Sequence, residues 1–242
     1  MFLNTSYEVI VNGIEAALVA QLLKFIGHLD IMRYFQKAIR RSGIPICYSA
    51  GFSPHQIMSF AAPLGVGVES EGEYFDIEAN SVTTAEDMIA RLNAEMAEGM
   101  AITGMRILPD NAKNAMASVK AASYRLNWKE GYSPEYSLSE AVAEFLSREE
   151  VLYTKQTAKS VIERNLKEAV YELKAMDERT VYMLVDASSA GNVKPGTVIE
   201  CLAAFYGKTY DSNAIQVTRE DTFTDAPNGE GFISLGEVGE NF

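Results

Sequence analysis

The chain has 242 residues, with 33 acidic and 21 basic side chains and a net charge of −12. Apolar residues at 48% and charged residues at 22% describe an ordinary globular protein, which excludes a disordered chain, a collagen-like chain and a disulfide scaffold. The acidic balance argues against a protein that coats nucleic acid non-specifically.

In chain order, residues 7–11 (YEVIV) read as a short strand and Asn12-Gly13 as a turn. Ile14 to Ile26 has helical periodicity. Leu29 to Ser42 is the clearest helix. Its apolar positions Ile31, Phe35, Ala38 and Ile39 and its basic positions Arg33, Lys37, Arg40 and Arg41 share one spacing. The two sets are offset by two residues, about 200° around a helix, so the faces are nearly opposite. Gly43 ends this helix and Pro45 prevents its return. ICYSA (46–50) and MSFAAPLGVGV (58–68) read as extended chain around a Gly51–Pro54 turn. EYFDIEA (73–79) alternates Tyr74 and Asp76 against Phe75 and Ile77, the pattern of a half-buried strand. Thr83 or Thr84 caps a helix running to about Ala97, and Met100 to Leu108 is a strand.

Pro109 to Ala117 reads as a linker, small and polar. The second half repeats the order: strand from Val119 to Lys129, then helix from Ser137 to Ser147 with a Ser137–Glu140 capping box. A strand over Val151 to Gln156 follows, then a hairpin of Tyr171–Met176 and Thr180–Asp186. A helix over Pro195 to Tyr206 and a last strand over Ile215 to Arg219 close the half. Residues 157–170 read equally as helix or loop. The expected fold is α+β: two ferredoxin-like (split βαβ) halves with antiparallel sheets covered by helices. The expected divisions are 1–110, 118–219 and a loose acidic tail, 220–242. That tail carries six acidic residues and four Gly but no Lys or Arg.

Several chemistries lack their residues. A radical SAM enzyme needs three closely spaced Cys for its cluster, and this chain has Cys47 and Cys201 alone. There is no P-loop, no HExxH and no GxSxG. Gly65-Val66-Gly67 lacks the third Gly of a dinucleotide loop and reads as a strand bulge. No metal or cofactor is expected. The two thiols fit packed side chains in a reducing compartment. No apolar run approaches the ~20 residues of a membrane helix, and no basic start suits a signal peptide, so the expected location is the cytoplasm.

Both His residues fall within 28–55. His28 and Asp30 sit at the positive end of the basic helix. Tyr48, Ser49, Ser53 and His55 lie on the turn that follows it. His28, Asp30 and His55 could share an anion or proton-transfer site with Arg33. Each also has an ordinary structural role: Asp30 as dipole partner, His28 as part of the cap, His55 as a turn residue, and Arg40 and Arg41 as a solvated face.

The stretch Lys24 to Glu78 resembles the radical-SAM-linked protein family, a domain fused to, or encoded beside, radical SAM proteins with a cobalamin-binding region. The resemblance rests on His28-Leu29-Asp30, Arg33, Arg40-Arg41, Tyr48-Ser49, Gly51-Phe52, Pro54-His55, Ser59-Phe60, Pro63-Leu64, Gly67 and Glu73, with Asn192–Pro195 as a later piece. Residues 1–23 depart from the family's basic first strand. Gln56-Ile57-Met58 stand where many members carry a Lys. The resemblance implies a radical SAM partner. The leading expectation is a non-catalytic accessory protein that presents RNA or a nucleotide-bearing molecule to that partner. Its binding residues would be His28, Asp30, Arg33, Lys37, Arg40, Arg41, Tyr48, Ser49, Phe52 and His55. Two alternatives stand beside it: an enzyme using His28 and His55 for acid–base or metal chemistry, and a structural docking partner of the radical SAM protein.

Overall fold

The computed structural model describes residues 5–13, 27–98, 100–110, 112–156 and 161–242. The helix expected over Ile14 to Ile26 lies outside the described residues. The chain divides into two compact units, one of residues 1–120 and 221–242, the other of residues 121–220. The division therefore falls at Lys120/Ala121, later than the expected linker, and the C-terminal residues return to the first unit.

The first unit runs β1 (Thr5–Gly13), α1 (His28–Ser42), β2 (Met58–Phe60), β3 (Val68–Ser70), β4 (Glu73–Ala79), α2 (Ala85–Asn93) and β5 (Met100–Ile107). Its sheet has the order β2-β4-β1-β5, and every neighbouring pair is antiparallel. Leaving out the short β3, that is the split βαβ arrangement. Helix α1 follows its amphipathic spacing: Phe35, Ala38 and Ile39 are buried, while Arg33, Lys37, Arg40 and Arg41 are exposed. The Phe35 ring meets Phe75 of β4 at 4.9 Å, and Phe60 of β2 stacks on Phe75 at 5.1 Å. Burying each large apolar side chain of this kind contributes roughly 1.5–3 kcal/mol. Gly43 ends α1 with φ 68°, a left-handed conformation that favours glycine. The last turn has a second support, because Arg91 of α2 donates from Nε and Nη2 to the Ser42 carbonyl at 3.1 and 2.9 Å. Thr84 caps α2 through the Asp87 N–H.

Strand β4 departs from its expected half-burial. Phe75 and Ile77 are buried on the helix side, and Tyr74 and Asp76 on the opposite side are buried too. The cover comes from distant chain. A one-turn helix, α3 (Ala115–Ser118), lies in the stretch expected to be a linker, and the Ala115 N–H donates to Asp76 Oδ2. Tyr74 Oη donates to Asp221 and lies 3.0 Å from Ser234 Oγ. The expected loose tail is thus corrected. Phe232–Ser234 pair with Phe223–Asp225, the Ile107 and Glu240 backbones bond reciprocally, and Leu235 is buried. Apolar residues interleaved with the acidic ones supply the burial that a loose terminus lacks.

The second unit repeats the topology with β6 (Ala121–Trp128), α4 (Leu138–Ser147), β9 (Val170–Asp177), β10 (Thr180–Asp186), α5 (Pro195–Ala204) and β11 (Ile215–Asp225), whose sheet order is β9-β10-β6-β11. Strand β11 outruns its expected end at Arg219 and continues past Glu220 into the first unit, where it pairs with β12 (Phe232–Ser234). An antiparallel hairpin, β7 (Leu152–Gln156) and β8 (Val161–Asn165), is inserted between α4 and β9. Of the 157–170 segment read as helix or loop, residues 157–160 lie outside the described residues, Val161–Asn165 are strand β8 instead, and a 3-10 turn follows at Leu166–Glu168. Ser137 caps α4 by accepting the Glu140 N–H, and Pro195 opens α5. Both units are α+β with antiparallel sheets and covering helices.

Candidate functional site

The basic helix and the loop after it carry the expected site residues. The loop is closed by local bonds. Tyr48 and Gln56 form an antiparallel bridge, the Ser49 N–H donates to the His55 carbonyl at 2.8 Å, and the His55 N–H donates to Ser49 Oγ at 3.1 Å. Ser49 Oγ also lies 2.8 Å from His55 Nδ1. With the Ser49 hydroxyl donating to Nδ1, Nε2 of a neutral His55 carries the proton and remains a donor. Gly51, at φ 109°, makes the turn. Phe52 next to it has a fully exposed side chain, and Tyr48 is 47% exposed. Burial does not account for an aromatic ring in that setting.

Gln56 anchors the loop to the helix. It is buried, and its Nε2 donates to the Gln36 carbonyl at 3.2 Å, one residue before Lys37. Its Oε1 is buried without a partner among the described residues. The sequence signal for Gln56 was its place directly after Pro54-His55.

The four cations differ. Arg33 pairs with Asp30 at 3.2 Å, one turn apart on the surface. Arg41 Nε donates to Glu95 Oε2 at 2.7 Å, and its Nη2 to the Glu95 carbonyl at 3.1 Å. Lys37 and Arg40 are exposed and carry no ion pair among the described residues. Asp30 thus serves both the helix dipole and Arg33. His28 sits in the first turn with its ring edge-on to Phe60 at 5.4 Å, at the rim of the core. Among the described residues no hydrogen bond or ring contact joins His28 to His55. Nor does any trio of His, Cys, Asp or Glu there form a metal-holding group. Burial and the nearby Glu78 push the Cys47 thiol up, away from its reactive form.

Sequence reasoning missed Asp76. Read as a solvent-side residue of β4, it lines a cleft of about 590 Å³ with Leu108, Lys113, Ile233 and Leu235, all within the first unit. Burial pushes its carboxyl up to about 7 against the lowering effect of the Ala115 N–H, and its Oδ1 has no partner among the described residues. Alternation along β4 was the only signal, and it pointed the wrong way.

A family model described as "Uncharacterized protein conserved in bacteria (DUF2344)" matches residues 20–195. The chain belongs to this family. The match takes in α1, the 48–56 loop and most of the second unit. No curated protein matches the chain. Among solved structures, a chain of "Crystal Structure of a Cbf5-Nop10-Gar1 Complex" is similar at 11% identity with a TM-score of 0.44, over 88% of this chain and 48% of that one. This chain thus spans about half the length of that protein. A second, "Crystal Structure of an Unknown Protein from Galdieria sulphuraria", is similar at 12% identity with a TM-score of 0.26, over 90% of this chain and 98% of that one. Among the described residues no helix is long and apolar enough to cross a membrane.

Proposed function

We propose that the first unit is a non-catalytic accessory module that binds single-stranded RNA or a nucleotide-bearing molecule and presents it to a radical SAM partner. The observation that carries the binding part is a solvent-exposed aromatic tip on a loop anchored to a helix whose exposed cations Lys37 and Arg40 have no ion pair among the described residues. Phe52 stands fully exposed on a loop locked by Ser49 and His55 and anchored at Gln36, next in sequence to Lys37, with Arg40 three residues further along α1. Aromatic platforms stack bases, and Arg and Lys meet phosphates. A net charge of −12 suits a local contact rather than a long electrostatic track. The partner rests on the resemblance of Lys24–Glu78 to radical-SAM-linked proteins.

The test is fluorescence anisotropy with a labelled single-stranded RNA. Phe52→Ala should weaken binding by roughly fivefold or more, the scale of one base–aromatic stack. Lys37→Ala with Arg40→Ala should lower the salt slope by about 0.7 for each phosphate no longer neutralised. Absence of saturable binding by the wild-type chain would overturn the reading. Capture of a radical SAM protein with a cobalamin-binding region by the wild-type chain, with or without RNA, tests the partner.

The enzyme alternative has one specific observation, the Ser49–His55 contact at 2.8 Å, within reach for a nucleophile and its base. Against it, Ser49 Oγ also takes the His55 backbone N–H, which makes the contact a local loop closure.

A further inference from the structure

The second unit holds a pocket of about 310 Å³ that the surface on the first unit does not use. Trp128, Tyr132, Tyr136 and Tyr210 supply its aromatic wall, and the Glu135–Lys208 ion pair, 2.7 Å apart, lies at its margin. We propose that this pocket is a binding site for a single purine base, presented as a nucleoside, with the base held among the aromatic rings and its polar edge met by the Tyr136 hydroxyl.

Four observations support the assignment. The volume is at the lower end for small-molecule sites, suited to one bicyclic ring system rather than a long chain. Four aromatic residues stand in its lining, beside Glu135, Lys208 and Asp211, and planar heterocycles stack on such rings whatever their substituents. The Tyr136 hydroxyl is buried and has no hydrogen-bond partner among the described residues. An unpaired buried hydroxyl is costly and calls for a ligand or water to complete it. Burial pushes the Tyr136 phenol up to about 12, so it stays protonated and can both donate and accept at neutral pH. A purine edge offers both kinds of partner.

The walls are also held in place. Arg179 Nη2 donates to the carbonyls of Trp128 and Tyr132 at 3.0 and 2.9 Å, which fixes the turn carrying both rings. The Lys129 N–H donates to the Ala214 carbonyl at 2.9 Å and its Nζ to the Asn213 carbonyl at 2.8 Å. Tyr136 stacks on Tyr206 at 5.3 Å with planes 7° apart. Gly196 gives the Tyr210 ring its room, since a Cβ there would lie 3.1 Å from the ring. A site whose walls are fixed before the ligand arrives loses little ordering entropy on binding.

The chain has one tryptophan, Trp128, and it stands in the wall. Its emission therefore reads this pocket directly. The full chain is titrated with adenosine and with guanosine, exciting at the red edge of the indole band, with the pyrimidine nucleosides as comparison. The expected result is saturable quenching by at least one purine nucleoside. Tyr136→Phe, which keeps the ring and its stack, should weaken it roughly fivefold to tenfold, the scale of one hydrogen bond. Tyr132→Ala, at a half-exposed position, should weaken it about as much by removing a stacking ring. Lys37→Ala with Arg40→Ala should leave it unchanged, which separates this site from the RNA surface on the first unit. Linear, collisional quenching by every nucleoside would overturn the proposal. So would saturable quenching that survives both Tyr136→Phe and Tyr132→Ala, because the hydroxyl would then be served by water.

Discussion

Arg41 and Glu95 form a two-point contact between the end of α1 and the chain just after α2, through Nε to Oε2 at 2.7 Å and Nη2 to the backbone carbonyl at 3.1 Å. Its neighbour Arg40 carries no such contact among the described residues. Two adjacent arginines of one basic face therefore have different work. Arg41→Ala should lower stability by at most about 1 kcal/mol, since the pair is largely solvated, and should leave RNA binding almost unchanged. Arg40→Ala should do the reverse, with an unaltered urea midpoint and a weaker, less salt-sensitive RNA complex. Urea titration and anisotropy on the two single variants check this, and equal effects on both readouts would refute it.

Asp76 makes stability fall as pH rises. Its folded pKa stands near 7 against an ordinary value of 3.8. The folded state therefore holds the proton more tightly between those values. The stabilisation is fully present below about pH 4 and is lost as pH rises through 7. The shift corresponds to an upper limit of roughly 4 kcal/mol at about 1.36 kcal/mol per pH unit. Asp76→Asn keeps an acceptor for the Ala115 N–H and removes the titration. Chemical denaturation at pH 5 and pH 8 should show a smaller difference for the variant than for the wild-type chain.

The C-terminal residues should behave as part of the first unit. The Ala85 N–H donates to the Phe242 carbonyl at 3.1 Å, and Leu235 is 2% exposed. Leu235→Ala should destabilise the protein by about 2–5 kcal/mol, the range for a buried leucine. Limited proteolysis of the wild-type chain should spare residues 232–242. Rapid trimming back to Glu220 at no cost in stability would contradict the fold.

Gly43 should resist substitution. Its φ of 68° strains any L side chain, and a Cβ would lie 3.2 Å from Arg91 Nη2, a group already bonded to the Ser42 carbonyl. Gly43→Ala should cost about 1–2 kcal/mol by the left-handed penalty. Arg91→Ala should add less than its own single effect when combined with Gly43→Ala, because both act on the same helix end. A double-mutant cycle measures that coupling.

The sequence by itself determined the local features. Helix α1 could be read from its two offset faces and from Gly43, α2 from Thr84, α4 from Ser137 and α5 from Pro195, because caps and amphipathic spacing act within one or two turns of chain. The repeated element order pointed to two split βαβ halves, since short, uncrossed and right-handed connections leave only a handful of arrangements for that order. Tertiary structure alone decided what faces what. Asp76 and Tyr74 alternate as solvent-side residues should, yet they are covered by groups 39 and 147 residues away in sequence. Arg40 and Arg41 look equivalent until Glu95, 54 residues on, takes one of them. Whether Phe52 packs or stands free is open until the loop closed by Ser49 and His55 leaves it fully exposed. Periodicity records how a segment's own side chains are arranged around its axis. It carries no information about which distant segment arrives to bury or pair them.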